Sequence, residues 1–280
     1  MTAHAHAARS HHVDASLTYI APGERPVSYT YEPPAGVPWR TGTYTDVQVP
    51  IANGRGEDFS LDRHGFALIE HASGVSDFSD EQTIRRVYLR ECEDVLRRVT
   101  GAPKVLAFDY NLRSGSVVGR SANGVREPVR RVHNDFTMNS GPRRAADELR
   151  AVGIDPEKWL AHRFALINVW RPIRGPVKST PLAVCDAESI SLGDFVKTDL
   201  VYRDRVGETY TVTHSPRHRW FYFPDMRTDE ALLLKCYDSA EDGVARFTAH
   251  TAFDDPTAPL GAPPRESIEA RLLVLYGPRA

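Results

Sequence analysis

The 280-residue chain has room for one large domain or two small ones, and 41% hydrophobic with 26% charged residues makes it an ordinary packed protein, neither disordered nor collagen-like. Lys and Arg (35) nearly balance Asp and Glu (37), so no long-range field favours nucleic acid or an anionic membrane, and a small molecule is the expected partner. Cys92, Cys185 and Cys236 form no C-x-x-C pair, which argues against a zinc knuckle or disulfide framework and for reduced thiols in a cytoplasmic protein. No apolar run approaches the roughly 20 residues of a membrane span, and the opening residues lack the apolar core of a secretory signal.

Residues 1–40 carry His4, His6, His11 and His12, then Pro22, Pro26, Pro33, Pro34 and Pro38. Proline at that density opposes both helix and central strand, so the stretch reads as a surface arm ahead of a single domain over 41–280. A helix is predicted from about Asp80 to Val99, because Ile84, Val87, Tyr88, Val95, Leu96 and Val99 recur on one face. Ser79 or Asp80 suits its N-cap, and Gly101 with Pro103 its stop. A second helix follows Pro142 through Ala145, Ala146, Leu149 and Val152. From Lys104 onward the remaining signals are about eight short β-branched or aromatic runs: 105–112, 164–173, 180–190, 208–214, 218–223, 231–238, 246–250 and 267–277. Without strand-helix alternation they predict a mainly β sandwich or barrel with flanking helices.

Motifs for several chemistries are missing. The sequence has no G-x-x-x-x-G-K-[ST], no G-x-G-x-x-G between a strand and a helix, and no G-x-S-x-G elbow, which lowers nucleotide-dependent and hydrolase readings. His133-Asn134-Asp135 is the positive signal: on an extended segment residues i and i+2 share a face, so one imidazole and one carboxylate can reach a single cation. A 2-His-1-carboxylate facial triad, the arrangement of Fe(II) oxygenases, needs a second imidazole. His214, His218 and His250 are the downstream candidates. Arg265 and Ser267, again i and i+2, suit the far carboxylate of a bidentate acid such as 2-oxoglutarate through charge-assisted bonds. That order favours His250, with His218 and His214 as alternatives. Arg271 is a rival to Arg265 but lies six residues on, roughly 20 Å along a strand.

HND at 133–135, INVWRPI at 167–173, PLAVCDAESI at 181–190, HRWFYFPDM at 218–226, LLLKCYDS at 232–239, AHTAFDDP at 249–256 and PPRESIEAR at 263–271 form one linked series. Together they resemble the hydroxylase/desaturase family that includes the cephamycin-biosynthesis C-7 hydroxylation component and fungal and bacterial natural-product oxygenases. That family lies within the Fe(II)/2-oxoglutarate-dependent dioxygenases. The resemblance covers roughly residues 85 to 280 and implies a double-stranded β-helix, or jelly-roll, core. It also implies His133, Asp135 and His250 as ligands of Fe(II), Arg265 with Ser267 as the anchor of 2-oxoglutarate, and O2 as co-oxidant. The expected reaction is hydroxylation, desaturation or cyclisation of a small natural-product or amino-acid-derived substrate, with succinate and CO2 as coproducts. The gap between H-x-D and His250 exceeds that of compact members, which keeps His218 in play. Asn168, Arg171, Arg113, Trp170, His218 and Tyr222 are the expected substrate or cosubstrate contacts. Two other readings are an Fe(II) oxygenase that dispenses with 2-oxoglutarate and a non-catalytic small-molecule-binding barrel.

Overall fold

The computed structural model describes residues 12–117 and 124–277. Its strands in chain order are β1 (His12–Ile20), β2 (Val27–Tyr29), β3 (Tyr44–Asn53), β4 (Phe66–Glu70), β5 (Lys104–Ser114), β6 (His133–Asn134), β7 (Phe164–Arg174), β8 (Leu182–Cys185), β9 (Phe195–Val201), β10 (Val206–Val212), β11 (Trp220–Tyr222), β12 (Glu230–Asp238), β13 (His250–Ala252) and β14 (Glu266–Leu275). Helices α1 (Glu81–Thr83) and α2 (Leu89–Thr100) flank a π-helical turn at Ile84–Tyr88, and α3 (Ser140–Ala151) and α4 (Pro156–Leu160) follow β6.

Strand alternation sets the layers. A five-stranded sheet, order β4-β12-β7-β14-β5, faces a nine-stranded one, order β1-β3-β11-β8-β13-β6-β10-β9-β2. The central β7, β12 and β14 are covered on both faces, which is why β7 and β12 read as long apolar runs, while the first half of β14 interrupts the pattern with Ser267, Glu269 and Arg271. Ala165, Ile167 and Val169 of β7, with Ile268, Ala270, Leu272 and Val274 of β14, pack outward on Tyr88, Leu89, Cys92, Val95 and Leu96 of the helical segment. Their neighbours Leu166, Trp170 and Leu273 turn inward to meet Leu182, Val184 and Tyr210 of the larger sheet. Two curled sheets enclosing a core, with helices outside, are the jelly roll that the sequence predicts.

The larger sheet folds over itself, and here the structure corrects the expected arm. His12–Ile20 is a full strand paired antiparallel to β3, and Val13, Ala15, Leu17 and Tyr19 join Ile51, Val212, Trp220 and Phe253 in a third apolar cluster. The backbone N–H of Val132 donates to Thr18 O at 2.9 Å, binding this strand to the segment that leads into β6. Alternating apolar residues in HVDASLTYI outweigh the prolines that follow them. His4, His6 and His11 lie outside the described residues.

The helix face also differs. Asp80 is the N-cap, accepting from the backbone of Gln82 and Thr83, and Gly101 closes the helix in the left-handed region at φ 68°. The π-helical turn inserts one residue into the repeat, so the buried stripe is Ile84, Tyr88, Leu89, Cys92, Val95 and Leu96, while Val87 and Val99 are exposed. No helix among the described residues is long and apolar enough to cross a membrane.

Leu17 is 1% exposed, so Leu17→Ala is expected to cost about 2–5 kcal/mol. Val99→Ala on the exposed helix face is expected to stay within about 0.5 kcal/mol. Urea unfolding of the two variants separates a core strand from a surface arm.

Candidate metal centre

His133 and His250 face each other directly across the β6–β13 pair, with ring centroids 4.4 Å apart. Each ring is fixed in the same way. His133 Nδ1 bonds Arg131 O at 2.8 Å and His250 Nδ1 bonds Thr248 O at 2.9 Å, so Nδ1 carries the proton in both and Nε2 keeps a bare lone pair. Asp135 follows two residues after His133, its Oδ1 3.8 Å from His133 Nε2. One ligand atom from each of His133, Asp135 and His250 lies within 4.8 Å of the others. Burial, and then neighbouring His250, lowers the His133 pKa to about 3, which keeps that imidazole an unprotonated donor at neutral pH.

Burial pushes the Asp135 carboxyl up, but Arg271, the two imidazoles and the Asn168 amide outweigh it and hold Asp135 below the ordinary carboxylate range. Asn168 Nδ2 donates to Asp135 Oδ2 at 2.8 Å and Arg271 Nε to the same oxygen at 3.1 Å. Two donors on Oδ2 leave Oδ1 turned towards the histidines. Arg271 also reaches Asp109 at 3.2 Å and Glu269 at 3.3 Å, and Asn168 lies opposite it in the β7–β14 register. The residue expected to rival Arg265 for an acid ligand is therefore committed to Asp135.

Arg265 and Ser267 continue the inner row of β14. Arg265 is 3% exposed, gives Nη1 to Thr180 O at 2.9 Å and lies over the Trp170 ring at 5.4 Å. Thr180 holds a left-handed backbone, φ 48°, an unfavourable state for a β-branched residue that presents its carbonyl to the guanidinium. No carboxylate among the described residues pairs with Arg265, and its Nε and the Ser267 hydroxyl are buried without partners. Burial, with Arg113 close by, lowers the Arg265 pKa to about 9. A buried guanidinium without an ion-paired carboxylate, beside a hydroxyl without a partner, is an acceptor-hungry pair suited to a carboxylate.

Arg113 lies opposite Ser267 in the β5–β14 register and gives Nη1 to Glu127 O at 2.8 Å, while Trp170 forms the floor under Arg265. Arg171, His218 and Tyr222 are not at the centre. Arg171 follows Trp170 on β7 and so points to the helical side, over the Tyr88 ring. His218 bonds Asp194 at 3.3 Å and stacks on Tyr19. Tyr222 belongs to the third apolar cluster with Phe253, because it is paired with Ala183, one residue out of phase with the Val184 that faces His250. His214 packs on Tyr19 as well.

Asn111 and Glu269, a register pair buried beside this row, were not anticipated. Asp109, Asn111 and Arg113 form a period-two polar row alongside the apolar residues of 105–112, and that is the available signal. His64, Asp186 and Glu188 form a second group with metal-ligand spacing, but Arg219 holds Asp186 at 2.6 Å and Arg63 holds Glu188 at 2.9 Å.

Residues 17–275 match the pattern of a domain described as an oxidoreductase/YMDC permease-like domain. The chain is 32% identical over 239 residues to the alpha-ketoglutarate-dependent dioxygenase phiK of a fungal species, covering 81% of this chain and 83% of that protein. It is 34% identical over 259 residues to the hydroxylase/desaturase CTB9 of Cercospora beticola, covering 83% and 78%. The chain belongs to the Fe(II)/2-oxoglutarate-dependent dioxygenase family. The structure of the iron and alpha-ketoglutarate-dependent endoperoxidase NvfI superposes with a TM-score of 0.84 at 27% identity, covering 95% of this chain and 99% of that one. Membership makes the protein an oxidoreductase that uses Fe(II), 2-oxoglutarate and O2, and the donor set fits both groups: two bare imidazole nitrogens with a carboxylate for the metal, and an unpaired guanidinium with a hydroxyl for the acid.

Arg271→Leu leaves the buried Asp135 and Glu269 carboxylates without their cation, and the expected loss is about 3–5 kcal/mol. Arg174→Ala, which breaks only the exposed pair with Glu266, is expected to cost less than about 1 kcal/mol. Denaturant midpoints of the metal-free proteins measure both.

Proposed function

We propose that His133, Asp135 and His250 hold Fe(II), that Arg265 and Ser267 anchor the distal carboxylate of 2-oxoglutarate, and that the enzyme hydroxylates, desaturates or cyclises a small natural-product or amino-acid-derived substrate, releasing succinate and CO2. The observation that carries this reading is the inner row itself. Three convergent ligand atoms of the larger sheet meet, across the core, the inner row of β14 on the smaller sheet, which carries Arg271 on Asp135 and continues to Ser267 and the unpaired Arg265.

Bound Fe(II) with 2-oxoglutarate supplies the oxidising chemistry of the family. The protein's share is positional. The two Nδ1 bonds hold both imidazoles with Nε2 inward, Arg271 and Asn168 hold Asp135 ionised with one oxygen free, and Arg265 over Trp170 sets the direction of the cosubstrate. The inner apolar cluster limits water around the target carbon. Asn111 Nδ2 and Asn168 Oδ1, buried without partners, offer a donor and an acceptor for polar groups of the substrate. Aspirochlorine biosynthesis protein N of Aspergillus oryzae, 42% identical over 125 residues, supports a natural-product substrate. Three buried free thiols support placement in the cytoplasm, and the balanced charge supports a small-molecule partner over nucleic acid or membrane. The unpaired Arg265 favours this reading over an oxygenase without 2-oxoglutarate, and the converging bare nitrogens favour it over a binding barrel.

Fe(II) and 2-oxoglutarate added anaerobically to the metal-free protein are expected to give a weak visible charge-transfer band requiring both. His250→Ala should abolish it, His218→Ala should keep it, and Arg265→Ala should raise the 2-oxoglutarate concentration for half-maximal signal about tenfold or more. Asn168→Ala is expected to weaken Fe(II) binding about 10- to 100-fold through the loosened Asp135. Tight stoichiometric iron without a band, or a band that survives His250→Ala, would overturn the assignment.

A further inference from the structure

Arg171 takes no part in the metal centre, yet it is 1% exposed. Its Nη2 bonds His71 Nδ1, its Nη1 has only a long contact of 3.5 Å to Thr228 O, and its Nε has no partner. Burial, and then Arg171 itself, lowers the His71 pKa, so that ring accepts from the guanidinium and brings no countercharge. No carboxylate among the described residues forms an ion pair with Arg171. Glu91 accepts from Ser73 Oγ at 2.5 Å and Gly74 N at 2.8 Å, and Asp229 pairs with Arg227 at 2.8 Å. Burying a cation without an anion is costly.

Arg171 lines a recess of about 180 Å³ together with Ala72, Ser73, Ser76 and Thr228, with Val75, Phe78 and Ile173 as its apolar wall. That volume is about six times the ~30 Å³ share of one water, enough for inorganic phosphate or a short organic acid and too little for a nucleotide. Asp229 and Pro172 also form part of the wall. Because β7 alternates, Arg171 and the Trp170 that floors the Arg265 pocket lie on opposite faces of one strand.

We infer that this recess is a second binding site, in which Arg171 receives a small oxyanion, carboxylate or phosphate, on the helical face of the sheet away from the metal centre. The site is independent of the assignment of iron ligands. Its ligand completes the charge of Arg171 and bridges β7 to the 72–76 loop through the Ser76 hydroxyl, the Ser73 hydroxyl being already given to Glu91.

Isothermal titration of the full chain with inorganic phosphate, and of the Arg265→Met chain with succinate, at constant ionic strength, tests this. Arg265→Met removes the other uncompensated arginine, so any remaining one-to-one binding reports on Arg171. Saturable binding of either probe that weakens about tenfold or more in Arg171→Met supports the site, and the tighter probe names the ligand class. Ala72→Glu, at an exposed position on the recess wall, supplies a built-in carboxylate and should weaken binding likewise while Arg171 stays in place. That second variant keeps the test decisive if Arg171→Met fails to fold. Absence of saturable binding of both probes, or binding that survives Ala72→Glu, would overturn the inference, whatever the spectroscopy of the metal centre shows.

Discussion

Asp135 is a carboxylate taken almost out of water, and the ion pair that holds it there with Arg271 is the interaction on which the centre depends. A buried charge persists only if an opposite charge and hydrogen bonds replace its hydration. Arg271 supplies the charge, Asn168 the second bond, and both act on one oxygen. The other oxygen is thereby turned towards His133 and His250, so a requirement of electrostatics doubles as a means of aiming a ligand. The arrangement spans both sheets: Asp135 follows β6 of the larger sheet, and its two partners stand opposite one another on β14 and β7 of the smaller. Closing the jelly roll and assembling the centre are one event.

The second constraint is the spacing of charge along β14. Ser267, Glu269 and Arg271 share its inner face, Arg265 continues that row just ahead of the strand, and Glu269, with Asp109 and Asp135 from neighbouring segments, is engaged by Arg271. Arg265 lies beyond their direct reach, on Trp170 and the Thr180 carbonyl. Positive charge is thus neutralised beside Asp135 and left without an ion pair at Arg265, which is the distribution the proposed assignment of metal ligand and acid anchor calls for.

Much of this was legible in the sequence because the period of a strand is two. His133 with Asp135 and Arg265 with Ser267 are singled out by that rule, and the order of Arg265 behind His250 favours that histidine over His218 and His214. The same rule, applied further, separates Asn168 and Trp170 from Arg171, which the motif INVWRPI alone does not. Arg271 shows the limit: its distance from Arg265 along the strand sets it apart as a lesser rival, but only the pairing of β14 with β7, and the approach of the larger sheet, reveals its commitment to Asp135. Strand β1 was hidden because proline density in 22–38 dominated the reading of the whole first segment, although HVDASLTYI alternates cleanly. Tyr222 and His218 failed for a different reason. A histidine-aromatic run identifies a buried strand but not which face of a curled sheet it presents, and that is set by register with β8. The π-helical turn left no mark in the apolar periodicity.

The alternation of β14 divides one strand between two tasks. The odd-numbered residues from Arg265 to Arg271 answer to chemistry, whereas Ile268, Ala270, Leu272 and Val274 answer to the helix packed behind them. The two faces therefore answer to different demands, the inner one to the charges that must be balanced against one another and the outer one to the volume the helix leaves, with the backbone as the partition between them.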